Sequence, residues 1–347
     1  MKILITGGAG YLGNIITNKL FAAGSAGVSM SPYDRLVHEV KTEEQFSYDD
    51  LAHIISDPIE IVVYDNLMYR QICLTDHCYR KDFKFVMGDV RDWDSLKPWV
   101  EWADIIIPLA ALVGVGACEK DKQAAWDINF HHVANIVSIL KDHQKIIYPN
   151  TNSGYGLGQG ETFCTEDSPL KPISVYGLSK CDAEKVVLES GKGIVLRLAT
   201  VFGVSPRMRL DLLVNDFTYK AYSDGYLVLF EKDFKRNYIH IQDVALTFVF
   251  LINTFDKHVG KIFNVGLSSA NLSKLELAEK IKEHVPGLVI KWDDFKEDPD
   301  KRNYIVSNAR LEEAGWQPYY SLDRGIEELL KAYQIISHNR NHTFTNL

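Results

Sequence analysis

The sequence predicts an α/β fold, a Rossmann-type doubly wound parallel sheet of about seven strands with a smaller interleaved α+β lobe. Three observations predict it. Short apolar, β-branched runs recur with helical stretches between them. These runs are apolar on both faces, as strands of a sheet covered by helices on each side must be. A glycine-rich turn, Gly7-Gly-Ala-Gly10-Tyr-Leu-Gly13, joins the first run to the first helix.

In chain order, strands are expected at 2–7, 59–65, 83–89, 104–110, 145–151 and 193–200, with a seventh at 261–266. Helices are expected at 11–23, 95–102, 121–141 and 176–190, each with apolar residues at three- and four-residue spacing. Residues 25–58 exceed a minimal βαβ unit and read as an insertion. Within it, Thr42-Glu-Glu-Gln45 resembles a capping box ahead of a helix through Ile55. From Val204 onward, charged stretches such as EKDFKRNYIH and EDPDKRNYIVSN alternate with strand-like pieces. The chain therefore divides into a sheet-forming domain (1–203 and 236–266), a second lobe (204–235 and 267–336) and a polar tail (337–347).

At 347 residues, 46% of them hydrophobic, the chain can bury a large core. A net charge of -8 offers no basic field to a polyanion, so no nucleic-acid partner is expected and any phosphate binding must be local. Five cysteines form no Cys-x-x-Cys pair, and the N-terminus enters a strand directly; a reduced, cytoplasmic protein is expected. No apolar run reaches the ~20 residues of a membrane span, so no membrane partner is expected. No metal is expected either. His131 and His132 are consecutive on a helix and point apart, and Cys73 and Cys78 lack supporting ligands.

The turn at Gly7 has the strand-turn-helix context of a dinucleotide site. Gly7 makes the tight turn, Gly10 admits a pyrophosphate to the backbone, and Gly13 permits close helix packing. Phosphate charge then rests on the helix N-terminus, beside Tyr11 and Leu12. Asp65, with Asn66 after it, ends the second strand. A carboxylate there accepts from ribose hydroxyls and repels a 2'-phosphate, which selects NAD over NADP. Asp89 and Val90 after the third strand are candidates for the adenine, and Leu109, Ala110 and Ala111 after the fourth for the cofactor wall.

Thr151, Tyr176 and Lys180 are the candidate catalytic residues. Tyr176 and Lys180 are four apart and share one helical face. A cation at about 4 Å and an effective dielectric near 20 favours the phenolate by roughly 4 kcal/mol, about three pKa units. That would make Tyr176 a general base near neutral pH, with Thr151 bonding the same substrate oxygen.

With these motifs in order, the chain resembles the extended short-chain dehydrogenases/reductases of the NAD-dependent nucleotide-sugar epimerase/dehydratase type, from Met1 to about Leu330. In that family a Ser or Thr lies four residues before a Tyr-Gly, here Thr151 before Tyr155-Gly156, and the catalytic tyrosine follows at an interval like the 25 residues to Tyr176. The resemblance implies that Asn129 supports the active-site helix on the cofactor side, that Tyr176 and Lys180 also bind the cofactor, Lys180 at the nicotinamide ribose, and that Arg236 and Arg302 grip a substrate diphosphate. It places Asn152, Ser153, Thr200, Arg209 and Asn215 on the substrate side, and it implies a homodimer through the helices near 121–141 and 176–190. Dehydratases of the family follow the threonine with Asp-Glu; Asn152-Ser153 supplies neither acid nor base, which disfavours 4,6-dehydration. The 3,5-epimerases have a cysteine where Ser153 stands, so that chemistry is disfavoured too. What survives is oxidoreduction at one sugar carbon, C4, with or without return of the hydride to the opposite face. Segments such as IIIPLAALVG and RLATVFGVSPRMRLDLLVNDF are similar to a narrower group, the GDP-heptose 4-dehydrogenases of bacterial capsule-sugar pathways, which implies a GDP-linked substrate. A 2- or 4-epimerase and a cofactor-sensing binding module are the alternatives.

Overall fold

The computed structural model describes residues 1–24, 55, 58–158, 162–293 and 302–336. The capping box at 42–45, the helix expected after it and the polar tail lie outside the described residues. In chain order the first half consists of β1 (Lys2–Thr6), α1 (Tyr11–Gly24), β2 (Glu60–Asp65), β3 (Phe83–Met87), α2 (Trp93–Trp102), β4 (Ile105–Pro108), α3 (Val115–Lys120), α4 (Lys122–Trp126), a π-helical turn (Asp127–His131), α5 (His132–Ser138), β5 (Lys145–Thr151), β6 (Phe163–Cys164), α6 (Val175–Glu189) and β7 (Gly193–Leu198). The second half adds β8 (Thr200–Phe202), α7 (Leu213–Ser223), β9 (Tyr226–Phe230), β10 (Lys235–His240), α8 (Ile241–Asn253), α9 (Phe255–His258), β11 (Ile262–Val265), β12 (Asn271–Ser273), α10 (Lys274–His284), β13 (Val289–Asp293), β14 (Ile305–Val306), α11 (Ala309–Glu313) and α12 (Leu322–Ile336).

All seven expected strands enter one parallel sheet in the order β11-β7-β5-β4-β1-β2-β3. Alternate side chains feed two apolar layers. Ile3, Ile5, Ile61, Val63, Ile105 and Ile107 pack with α1 and α8 on one face, while Leu4, Val62, Tyr64, Ile106 and Tyr148 pack with α2, α5 and α6 on the other. Each such Leu, Ile or Val, fully withdrawn from water, contributes about 1.5–3 kcal/mol. Chain order reverses direction across the sheet between β1 and β4. The crevice at the carboxyl ends of these strands is where such a sheet binds ligands.

Two expectations change. The helix expected over 121–141 is interrupted by the π-helical turn, in which one extra residue per turn rotates Asn129 towards the loop after β4. The strand expected over 193–200 ends at Leu198, and the chain then leaves the large sheet: β8 pairs in parallel with β10, which pairs antiparallel with β12. Lys235–His240 thus belongs to this three-stranded sheet and not to the seven-stranded one, while α8 directly after it packs on α1.

Candidate active site

A cleft of about 920 Å³ runs along the carboxyl ends of the parallel strands and out against β8, α7 and β10. At one end lies the glycine turn. Gly7 has φ +71°, and a Cβ there would stand 2.6 Å from the Ala110 nitrogen. A Cβ on Gly13 would stand 2.5 Å from the Gly8 Cα, whereas one on Gly10 would meet only the Gly7 carbonyl at 3.1 Å and otherwise open space. The turn is therefore closed on the protein side and bare on the cleft side, with Tyr11 and Leu12 opening α1 beside it. Asp65 ends β2 with one carboxylate oxygen accepting from the Ala9 amide (3.0 Å) and the other from the Leu67 amide (2.8 Å). Burial pushes its pKa up, and those two amides pull it back. Asn66 donates to Asp89 at 3.1 Å, and Asp89 receives Arg91 through two bonds that hold its carboxyl well below the usual carboxylate range. Val90, Leu109, Ala110 and Ala111 line the same wall.

At mid-cleft stand the catalytic candidates. Thr151 closes β5; its hydroxyl accepts from the Ser153 amide (3.1 Å) and donates to the Ser153 hydroxyl (2.9 Å). Ser174 caps α6 by accepting from the Gly177 amide, which fixes the first turn and brings Tyr176 and Lys180 to the cleft. Asn129 does not line the cleft: its side chain, 1% exposed, holds both polar groups of Leu112 and donates to the Ser179 hydroxyl at 3.2 Å. It supports the active-site helix from behind.

The electrostatics differ from the sequence expectation. Burial pushes the Tyr176 phenol up to about 12, and the groups that draw it down are Arg302, Arg209 and the Thr151 hydrogen bond. Burial likewise brings the Lys180 ammonium down to about 7. Its Nζ stands 4.1 Å from the centroid of the Tyr148 ring, and Lys180 is not among the groups that draw the Tyr176 phenol down. His132, in the same layer, donates from Nδ1 to the Ile128 carbonyl at 2.6 Å and accepts from the Thr6 hydroxyl at 3.3 Å; burial lowers it to about 4, so it is neutral.

The far wall is basic. Thr200, Arg209, Arg236 and Arg302 line it, together with Arg207 and Lys274, which sequence reasoning passed over. Arg207 lies over the Tyr69 ring at 4.7 Å, and Arg209 pairs through two nitrogens with Asp211. The alternating Arg207-Met-Arg209 was the available signal. Arg302 bonds the Ser153 hydroxyl, one hydroxyl removed from Thr151, and so stands at the catalytic end of the wall. Two substrate-side candidates are corrected. Asn215 is fully buried, accepting from the Gly203 amide and donating to the Tyr11 hydroxyl and the Arg209 carbonyl; it braces the wall from behind. Asn152 is 1% exposed and turned away from the cleft, because Thr151 and Ser153 occupy the cleft side of that turn.

A dinucleotide fits these residues: the cradle at Gly10 is one a Cβ would narrow, a helix N-terminus faces it, and a carboxylate stands at the end of β2. Comparison with known proteins agrees. Residues 3–266 match the profile of the NAD dependent epimerase/dehydratase family. The chain is 25% identical, over 96% of its length and 98% of the relative's, to the low-salt glycan biosynthesis protein Agl12 of Haloferax volcanii. It is 24% identical, over 96% of its length and 70% of the relative's, to UDP-glucuronic acid decarboxylase 1 of Arabidopsis thaliana. Its fold superposes on UDP-glucuronic acid 4-epimerase from Bacillus cereus, in complex with UDP-glucuronic acid and NAD, with a TM-score of 0.76 at 21% identity, covering 97% of this chain and 100% of the other.

Proposed function

We propose, from the premise that this chain belongs to the NAD dependent epimerase/dehydratase family, that it is a nucleotide-sugar oxidoreductase acting at sugar C4. The observation that carries this reading is the convergence of Thr151, Tyr176 and Lys180 on one cleft with the glycine turn. Gly7, Gly10, Gly13 and Asp65 would hold NAD, which when bound accepts the hydride and brings a positive charge to the site. Tyr176 takes the proton of the C4 hydroxyl at its phenolic oxygen, and Thr151 orients that hydroxyl. Lys180 lowers the cost of the phenolate to the extent that it is charged. Arg207, Arg209, Arg236 and Lys274 would take the diphosphate, for which a guanidinium offers paired donors. Asn152 is buried and Ser153 is bonded to Arg302, so nothing at these two positions supplies the acid and base that dehydration needs.

The narrower reading is a GDP-heptose 4-dehydrogenase or 4-ketoreductase in surface-polysaccharide synthesis. It rests on the segments quoted above. By their names, two of the relatives act instead on UDP-linked sugars. One experiment addresses both levels: the purified protein is incubated with NAD and, in turn, GDP-, UDP-, CDP- and dTDP-sugars, following nicotinamide absorbance and the stereochemistry of recovered sugar. A ketone product with reduced cofactor supports the oxidoreductase. A redox-neutral isomer moves the assignment to 4- or 2-epimerase, and inertness towards all four sinks the reading.

A further inference from the structure

We propose that Tyr148 is the positioning residue for Lys180: its ring face holds the ammonium, and its hydroxyl fixes the backbone from which that side chain extends. This rests on the reading of Lys180 as part of the hydride-transfer site. Tyr148 lies on β5, three residues before Thr151, and is fully buried in the layer that packs α5 and α6 on the sheet. Lys180 is 4% exposed, with its Nζ 4.1 Å from the Tyr148 ring centroid, and the Tyr148 hydroxyl donates to the Lys180 carbonyl at 3.2 Å. One side chain thus grips both ends of one residue.

No other neighbour supplies an opposite charge. Among the described residues no carboxylate lies within ion-pair distance of Lys180. Glu184, one turn on along α6, is committed to Arg197 and Asn150. Asp182 pairs with Lys185 on the outer face, and Glu119 on α3 lies at the surface against Lys122. On α6 itself Tyr176 keeps its proton and burial pushes the Cys181 thiol up to about 12; from the other packed elements, His132 is neutral and burial pushes the Cys118 thiol up to about 11. An ammonium withdrawn from water among neutral groups is costly. Beside a contribution from Cys181, the negative face of the Tyr148 ring favours its charged form, and such an attraction strengthens when water is excluded. Tyr148 therefore offsets part of the burial that lowers Lys180, as well as aiming it.

The test needs no substrate. Lysine-labelled protein is titrated by NMR, with Lys180→Met assigning the resonance, in the wild type, Tyr148→Phe, Tyr148→Leu and a variant carrying trifluorophenylalanine at position 148. Phe keeps the ring and should leave the Lys180 midpoint in place. Leu should lower it by about one pH unit or more, a roughly fivefold loss of the charged form at pH 7. The fluorinated ring, nearly the same shape with its quadrupole withdrawn, should lower it as well, which keeps the test open if Leu does not fold. A midpoint unmoved by fluorination overturns the proposal, as does a Phe variant that titrates like Leu. Neither outcome bears on whether Tyr176→Phe abolishes turnover, so the inference and the functional reading fail separately.

Discussion

Tyr176 begins the proposed reaction from an unfavourable position, because a phenol held near 12 is a poor base at neutral pH. It needs positive charge brought to it, and Arg302 and Arg209 supply part of this in the free protein. Tyr176→Phe should lower kcat by about a hundred- to ten-thousandfold while NAD still binds, as read by turnover and by calorimetry with the cofactor. Lys180 has the complementary problem. Its folded pKa, about 7, lies below the ordinary 10.5, so between these values the unfolded chain binds a proton that the folded chain does not. Stability from this group is therefore fully present above pH 10.5 and is lost as pH falls towards 7. Lys180→Met should abolish turnover yet raise the melting temperature at pH 7, and it should flatten the stability profile across that window in urea titrations. Sequence spacing correctly placed Tyr176 and Lys180 on one face. It could not say which ring the ammonium would meet, because Tyr148 lies on another element 32 residues away.

Among the elements, the strand-turn-helix at the N-terminus was the most legible, since each glycine answers a local steric demand. Gly13→Ala should show this: its methyl would stand 2.5 Å from the Gly8 Cα, and overpacking of this kind costs about 1–3 kcal/mol. Weakened NAD binding and a lowered melting temperature are the expected outcomes; full NAD affinity would contradict the role assigned to the turn. The π-helical turn was not legible. Asp127–His131 carries no glycine or proline to mark a break, and only the packing of Asn129 against Leu112 and Ser179 gives the extra residue a purpose. Asn215, which the resemblance placed on the substrate side, is claimed instead by Tyr11 and Gly203.

Across the whole molecule, one buried ion pair connects the parts that must stay in register. Arg197 on β7 holds Glu184 on α6 through two bonds at 2.6 and 3.1 Å, and also bonds the Tyr155 hydroxyl and the Glu166 carbonyl. Both side chains of the pair are 4% exposed. Arg197→Met would leave Glu184 buried without its partner, and a loss of about 3–5 kcal/mol in chemical denaturation is expected. Because Glu184 lies one turn beyond Lys180, kcat should fall with it. The homodimer through the helices near 121–141 and 176–190 remains a proposal; light scattering at micromolar concentration should give twice the chain mass, and a monomer would remove it. Among the described residues no helix is long and apolar enough to cross a membrane.

The sequence by itself determined the seven parallel strands, the glycine turn and the identity of the catalytic candidates. Each follows from patterns confined to a few neighbouring residues: runs apolar on both faces, glycines where a Cβ would clash, two side chains one helical turn apart. Only the tertiary structure decided the protonation of that site, the departure of β8 from the main sheet, and which arginines reach the cleft. Those depend on burial and on partners distant in the chain, and the cost of withdrawing a charge from water is set by everything that surrounds it.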